Sequence, residues 1–243
     1  MDEEHSPGSA RSIVFVHIPR TAGSSTHTAF YPAYFPRWYV IDNPAKLGGI
    51  RAAVHENFAQ GIYVGGHFSP SDIENIGIDL SRTINFCLAR DPVDRVLSVY
   101  HFIIANPQAY PPLYAGIKGN GPQYGIEFIA RKSPNLICNA HCRQLCGSED
   151  AASALEVLHD LFDFAAIQDR LPDLLAALAD KARLKVRPEL RTRVNTAERL
   201  EEASSASLAL IAELNQEDRR FYDFLRDSGG LFRNERQPRG RSP

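Results

Sequence analysis

The sequence predicts one α/β domain, a parallel sheet with helices on both faces. Short β-branched and aromatic runs alternate with segments of helical periodicity, an order that lays strands parallel and carries the crossovers over the sheet. The chain has 243 residues, enough for a single domain with a sizeable core. Hydrophobic residues make up 44% and charged residues 23%, the balance of an ordinary globular chain. No internal repeat or long linker divides it. The expected limits are residues 12–228, between polar tails at 1–11 and 229–243 that read as disordered.

Element by element, "SIVFVH" (Ser12 to His17) reads as a buried first strand. A helix is expected after Gly23, with Ser24 or Ser25 as its cap. "IYVGG" (Ile62 to Gly66) is a second strand, and "RTINFCLA" (Arg82 to Ala89) is a third that stops at "RDP". Val93 to Ala105 has helical periodicity, and Pro92 suits the first turn of that helix. Pro107 to Pro122 is rich in Pro, Gly and Tyr and is expected to be a long loop, either a binding lid or a surface excursion. Helices dominate from Glu127, interrupted by two candidate strands, "FDFAAI" (Phe162 to Ile167) and "RLKVR" (Arg183 to Arg187). Ser205 to Arg226 closes the domain with helical pattern.

Composition excludes several classes. The net charge is −2, so a global pull on nucleic acid is not expected and any anion site must be a local basic cluster. The tail "MDEEHSPGSARS" has no apolar segment of signal-peptide type, and nothing approaches the ~18 apolar residues of a membrane span. The chain therefore reads as soluble and cytoplasmic. Four cysteines do not suggest a disulfide scaffold. Cys138, Cys142 and Cys146 fall on one helical stripe, which reads as packing rather than as a metal site because zinc ligands usually come in closer pairs.

Two constellations suit anions. In "HIPRTAGSS" a strand runs through a loop into a helix, whose first amides lack intrahelical partners and carry the positive dipole end. Gly23 permits close backbone approach, and Arg20, Thr21, Ser24 and Ser25 add a cation and three hydroxyls, a set suited to a phosphate or sulfate. The GxxxxGK[ST] pattern of nucleoside-triphosphate loops is absent. A plain strand–helix turn is the alternative. In "CLARDPVDRVLSVYHF", Arg90 closes the third strand and Ser98 follows eight residues on, a guanidinium and a hydroxyl for a second phosphate. Here the alternative is that Arg90 or Arg95 pairs with Asp91 or Asp94 and tethers a helix.

These residues carry a family resemblance. "FVHIPRTAGSS" resembles the 5′-phosphosulfate loop of carbohydrate sulfotransferases, usually HIPKTAGTS, and "LARDPVDRVLSVYHF" resembles their 3′-phosphate motif, usually RDPxxRxxSxY. The two occur in the family's order, about seventy residues apart. "VGGHFSP" is similar to the family's GHxxx segment, and "NAHCRQLCG" to its NxQTRxLxG helix, keeping Asn139, Arg143, Leu145 and Gly147. "FDFAAIQDRLPDLLAAL", "RVNTAE" and "NQEDRRFYDFL" resemble later segments. The likeness spans about Ser12 to Arg226 and points to the Golgi-type group of heparan-sulfate and uronyl 2-O-sulfotransferases and their bacterial relatives.

The resemblance implies a P-loop NTPase-like fold and transfer of a sulfuryl group from 3′-phosphoadenosine-5′-phosphosulfate (PAPS) to an acceptor hydroxyl, without a metal. It implies that Arg20, Thr21, Ala22, Gly23, Ser24 and Ser25 hold the 5′-phosphosulfate. Arg90 and Ser98 would hold the 3′-phosphate, with Arg193 close to the phosphoadenosine. His67 would act as general base; a structural histidine after a Gly-Gly turn is the other reading. His101 and Arg143 are candidate contacts in the acceptor pocket, and Tyr110, Tyr114 and Tyr124 could stack on a carbohydrate or small-metabolite acceptor. Arg20 stands where the family usually has lysine; it keeps the charge but is a poor proton donor. His141 and Cys142 stand where Gln and Thr are usual. Two rival functions follow from the same residues: a non-catalytic module that binds the nucleotide PAP, and an ATP-using phosphotransferase.

Overall fold

The computed structural model describes residues 10–185 and 203–234. Six strands form one sheet in the order β2-β3-β1-β4-β5-β6. They are β1 (Ile13–Val16), β2 (Trp38–Ile41), β3 (Tyr63–Gly66), β4 (Ile84–Ala89), β5 (Phe164–Ile167) and β6 (Leu231–Arg233). The first five are parallel and β6 is antiparallel to β5. In register, Val16 lies opposite both Gly66 and Cys87, so β3, β1 and β4 end together at one carboxyl edge.

Side chains that alternate along each strand make two cores. On one face Val14, Val16, Val64, Cys87 and Ala89 pack under α2 (Leu47–Asn57), α3 (Pro70–Asn75), α8 (Ala140–Cys146), α9 (Ala151–Leu161) and α12 (Gln216–Asp227). On the other, Ile13, Phe15, Tyr63, Phe86 and Leu88 pack under α1 (Gly23–Tyr34) and α10 (Leu171–Ala182). Phe15 and Phe86 stack with ring centroids 4.5 Å apart, and each such fully buried side chain contributes about 1.5–3 kcal/mol. A third core joins α4 (Pro92–Ala105) to α5 (Pro111–Ile117), α6 (Pro122–Lys132), α7 (Pro134–Ile137) and α11 (Ser205–Leu214) beside the sheet.

Several expectations are revised. Pro107 to Pro122 is not one long loop: Pro111 and Pro112 start α5, and Leu113 and Ile117, one turn apart, are buried in the third core. Trp38–Ile41 is an edge strand that was not anticipated. "RLKVR" begins with no strand; α10 runs to Ala182, Arg183 ends it in left-handed conformation (φ 55°), and Val186 and Arg187 lie outside the described residues. The C-terminal segment is not all tail, because Gly229 and Gly230, at φ 79° and 77°, turn the chain so that β6 covers the edge of β5. Ordered structure thus reaches Asn234, whose amide donates to the Asp163 carbonyl. At the other end, the amide of Arg11 donates to the Ala182 carbonyl. Among the described residues no helix is long and apolar enough to cross a membrane.

Candidate active site

The loop from Arg20 to Ser25 leaves β1 at the carboxyl edge and turns through two non-glycine residues with positive φ, Arg20 at 71° and Ala22 at 61°. Helix α1 begins at Gly23 with Ala22 as its left-handed N-cap and with no side-chain cap, so neither Ser24 nor Ser25 caps it as expected. Its first-turn amides therefore have neither an intrahelical acceptor nor a capping oxygen, and no acidic residue stands in that turn. Thr21 is buried and its hydroxyl donates inward to the Ile18 carbonyl at 2.8 Å, bracing the loop. Glycine is required at 23 because a Cβ there would lie 1.8 Å from Cε1 of His17.

His67 follows β3, the neighbour of β1. Its Nδ1 lies 2.8 Å from the backbone carbonyl of His17, so Nδ1 carries the proton and Nε2 is the proton-accepting nitrogen. The rings of His17 and His67 are 4.3 Å apart. Behind them runs a buried chain: Tyr63 Oη is 2.8 Å from His27 Nδ1, and His27 Nε2 is 3.3 Å from His17 Nδ1. Burial, with the neighbouring His67, holds His27 down to about 3, and burial together with His67, His27 and Arg20 holds His17 well below the ordinary imidazole range. Both are neutral near pH 7.

On the other side of β1, Arg90 follows β4. Arg20 reaches across to α4, where its Nε donates to Ser98 Oγ at 3.0 Å and its guanidinium lies 4.7 Å above the Phe102 ring. Arg90 Nη1 makes a long 3.5 Å contact with the Arg20 carbonyl. The two motifs, far apart in sequence, thus meet through Arg20, Arg90 and Ser98. Asp91 does not pair with Arg95: it caps α4 by accepting from the Val93 and Asp94 amides, and it pairs with Arg219 at 2.8 Å. Arg95 is fully buried and donates to the carbonyls of Leu136 and Ile137.

The weaker candidates are scattered. His101 packs edge-on to Tyr100 on α4, and the neighbouring Phe102 packs edge-on to Tyr110. Tyr114 sits partly buried on α5, and exposed Tyr124 stacks on Phe128 of α6. Arg143 is tied to Glu149 and to the Cys138 carbonyl, which makes it a local brace of α8. Arg193 lies outside the described residues. The four cysteines are unbridged, and among the described residues no group of three or more His, Cys, Asp or Glu is arranged to hold a metal ion. Residue-level reading missed Phe102 beneath Arg20, the Tyr63–His27 chain and buried Asp218. Phe102, Tyr63 and Asp218 lie inside the quoted segments "CLARDPVDRVLSVYHF", "IYVGG" and "NQEDRRFYDFL", but their partners are chosen by packing and carry no sequence signal.

No curated protein matches the sequence significantly. A family model described as "Sulfotransferase family" matches residues 9–144, more than half of the chain, from just before β1 into α8. That match takes in both anion motifs and His67, whose meeting at the ends of three adjacent strands has just been described, and the chain belongs to the sulfotransferase family.

Proposed function

We propose that the protein transfers the sulfuryl group of PAPS to a hydroxyl of a carbohydrate or small-metabolite acceptor, with His67 as general base. Family membership makes sulfuryl transfer the general chemistry. The observation that carries the finer reading is the tautomer of His67. With Nδ1–H committed to the His17 carbonyl, Nε2 offers its lone pair on the edge where the uncapped amides of α1 and the cations Arg20 and Arg90 also gather.

The donor set fits a nucleotide with two anionic groups: open helix amides without acidic neighbours for one, and for the other the Ser98 hydroxyl on Arg20 together with the Arg90 guanidinium beside the Arg20 carbonyl. PAPS supplies the sulfuryl group and leaves as PAP. His67 Nε2 takes the acceptor's hydroxyl proton as that oxygen bonds to sulfur. The bond from sulfur to the bridging oxygen breaks, and its electron pair stays on the phosphate oxygen. The α1 amides and Arg20 stabilise the charge collecting there, which is where charge stabilisation does most in transfers of this kind. Neutral His17, packed against His67, adds no charge to repel the proton that His67 acquires. Arg90 and Ser98 hold the 3′-phosphate that separates this donor from ADP-like nucleotides.

Calorimetric titration with PAP and then ADP, without added metal, tests the donor. Tight PAP binding with weak ADP binding supports the reading; no PAP binding sinks it. A second reading, a protein that holds the nucleotide without transferring sulfate, is favoured by one observation: Arg20 is already engaged by Ser98 and Phe102. Release of PAP from PAPS in the presence of an acceptor panel separates the two.

A further inference from the structure

We infer that His141 is a positioning residue for donor binding: held by Asp218, its imidazole fixes the backbone at Arg90 and so aims the guanidinium assigned above to the 3′-phosphate. The inference rests on that assignment of Arg90.

The network is closed and buried. Asp218, on the first turn of α12, and His141, on the first turn of α8, are both fully inaccessible to solvent. Asp218 Oδ2 accepts from the His141 amide at 3.0 Å and from His141 Nδ1 at 2.6 Å, while Oδ1 accepts from the Cys142 amide at 3.0 Å. Burial pushes this carboxyl up, but His141 and its amide, together with the charge of Arg95, outweigh that and hold it well below the usual carboxylate range. A carboxylate only accepts, so Nδ1 of His141 carries a proton. The remaining nitrogen, Nε2, lies 3.2 Å from the backbone nitrogen of Arg90. A backbone amide only donates, so Nε2 must be unprotonated. Both ends of the ring are therefore determined by their partners.

What the ring holds is the first residue beyond β4, the point where the chain leaves the sheet for α4. The next residue is held from the same helix: Arg219, beside Asp218, pairs with Asp91 at 2.8 Å. Two consecutive residues of α12 thus clamp two consecutive residues of the turn, one through His141 and one directly. The clamp is itself anchored, because Asn139 Oδ1 accepts from the amides of Glu217 and Asp218 at 3.2 Å, and Asn215 Oδ1 accepts from the Asn139 amide at 3.1 Å. Loss of its Nε2 takes from the Arg90 N–H the acceptor it has in the fold and leaves the turn free to shift.

The test compares PAP with ADP on the full chain. His141→Phe keeps the ring volume and loses both hydrogen bonds. It is expected to weaken PAP binding about tenfold, the net worth of one such bond, with little change for ADP. His141→Gln can accept from Arg90 and donate to Asp218, and is expected to bind PAP within about threefold of the parent. In the unmodified protein, imidazole nitrogen NMR should show His141 with Nδ1 protonated and Nε2 bare at neutral pH. Equal losses for PAP and ADP in His141→Phe, unchanged PAP binding, failure of His141→Gln to restore it, or a protonated Nε2 would each overturn the inference. If His141→Phe does not fold, His141→Gln and the NMR signature decide. If the unmodified protein ignores PAP, the functional reading falls with this inference, whereas PAP binding unaffected in His141→Phe removes the inference alone.

Discussion

On one side of β1 the site is made of imidazoles, and on the other it is made of guanidinium groups. The β1–β3 side carries His17, His27 and His67 with Tyr63, linked ring to ring and neutral where buried. The β1–β4 side carries Arg20 on Ser98, Arg90 beside the Arg20 carbonyl and buried Arg95, with buried Asp218 as a counter-charge to Arg95. One sheet edge thus separates the imidazoles from the guanidinium groups by the width of a strand. The difference teaches why the two motifs need not touch in sequence: parallel strands in register deliver both to the same edge, and each side is tuned by what lies behind it.

The sharpest way to break this division is at His67. On the proposed mechanism His67→Ala lowers kcat by about 10²–10⁴ while PAP affinity stays near that of the parent, measured by PAP release and by calorimetry. A matching loss of PAP affinity would move His67 to the anion-holding side. Arg90→Ala should do the reverse. Loss of a charge-assisted contact of about 1.5–3 kcal/mol weakens PAP binding by roughly tenfold to a hundredfold, with ADP binding little changed in the same titration.

Acid separates the two sides in a different way. His27 is held at about 3 in the folded protein against an ordinary 6.5, so between those values the unfolded chain binds the extra proton and stability rises with pH. Stability due to the neutral His27 is therefore lost as pH falls below about 6.5, at roughly 1.4 kcal/mol per pH unit, and His17 acts in the same direction. Asp218 is depressed from its ordinary 3.8, so its contribution is present above that value and is lost only at lower pH. Denaturant midpoints between pH 7.5 and 5 should fall, and His27→Gln should flatten the slope; an unchanged slope would show that the imidazole side does not bury neutral rings. The smallest expected effect is Arg20→Lys, which keeps the charge but gives up the Nε–H bond to Ser98 and the flat contact on Phe102. A loss of less than about tenfold in kcat/KM is expected, and a gain in turnover would favour the idea that Arg20 is held away from the reacting atoms.

The comparison also marks what residue-level reading reaches. The strand before the loop, the open turn at Gly23 and the helix after "RDP" are local: β-branched runs, a glycine under a neighbouring ring and a proline at a helix start act within a few residues. So are the two anion motifs. The helix α5 was hidden because its prolines and glycines describe a loop until Leu113 and Ile117 find the third core. Strand β6 was hidden in a stretch of glycine and arginine, since an edge strand of three residues is chosen by the strand it covers.

By itself, then, the sequence determined the parallel α/β order and the two basic, hydroxyl-bearing motifs, while the structure decided that the helix after Gly23 starts without a side-chain cap. Tertiary structure alone decided which nitrogen of His67 keeps its proton, what Arg20 leans on and what holds Arg90 in place. The physical reason is separation. The bond from Arg90 to His141 spans 51 residues and that from His141 to Asp218 spans 77. Hydrogen-bond partners at such distances are selected by how helices pack on a sheet, and packing is a property of the whole chain.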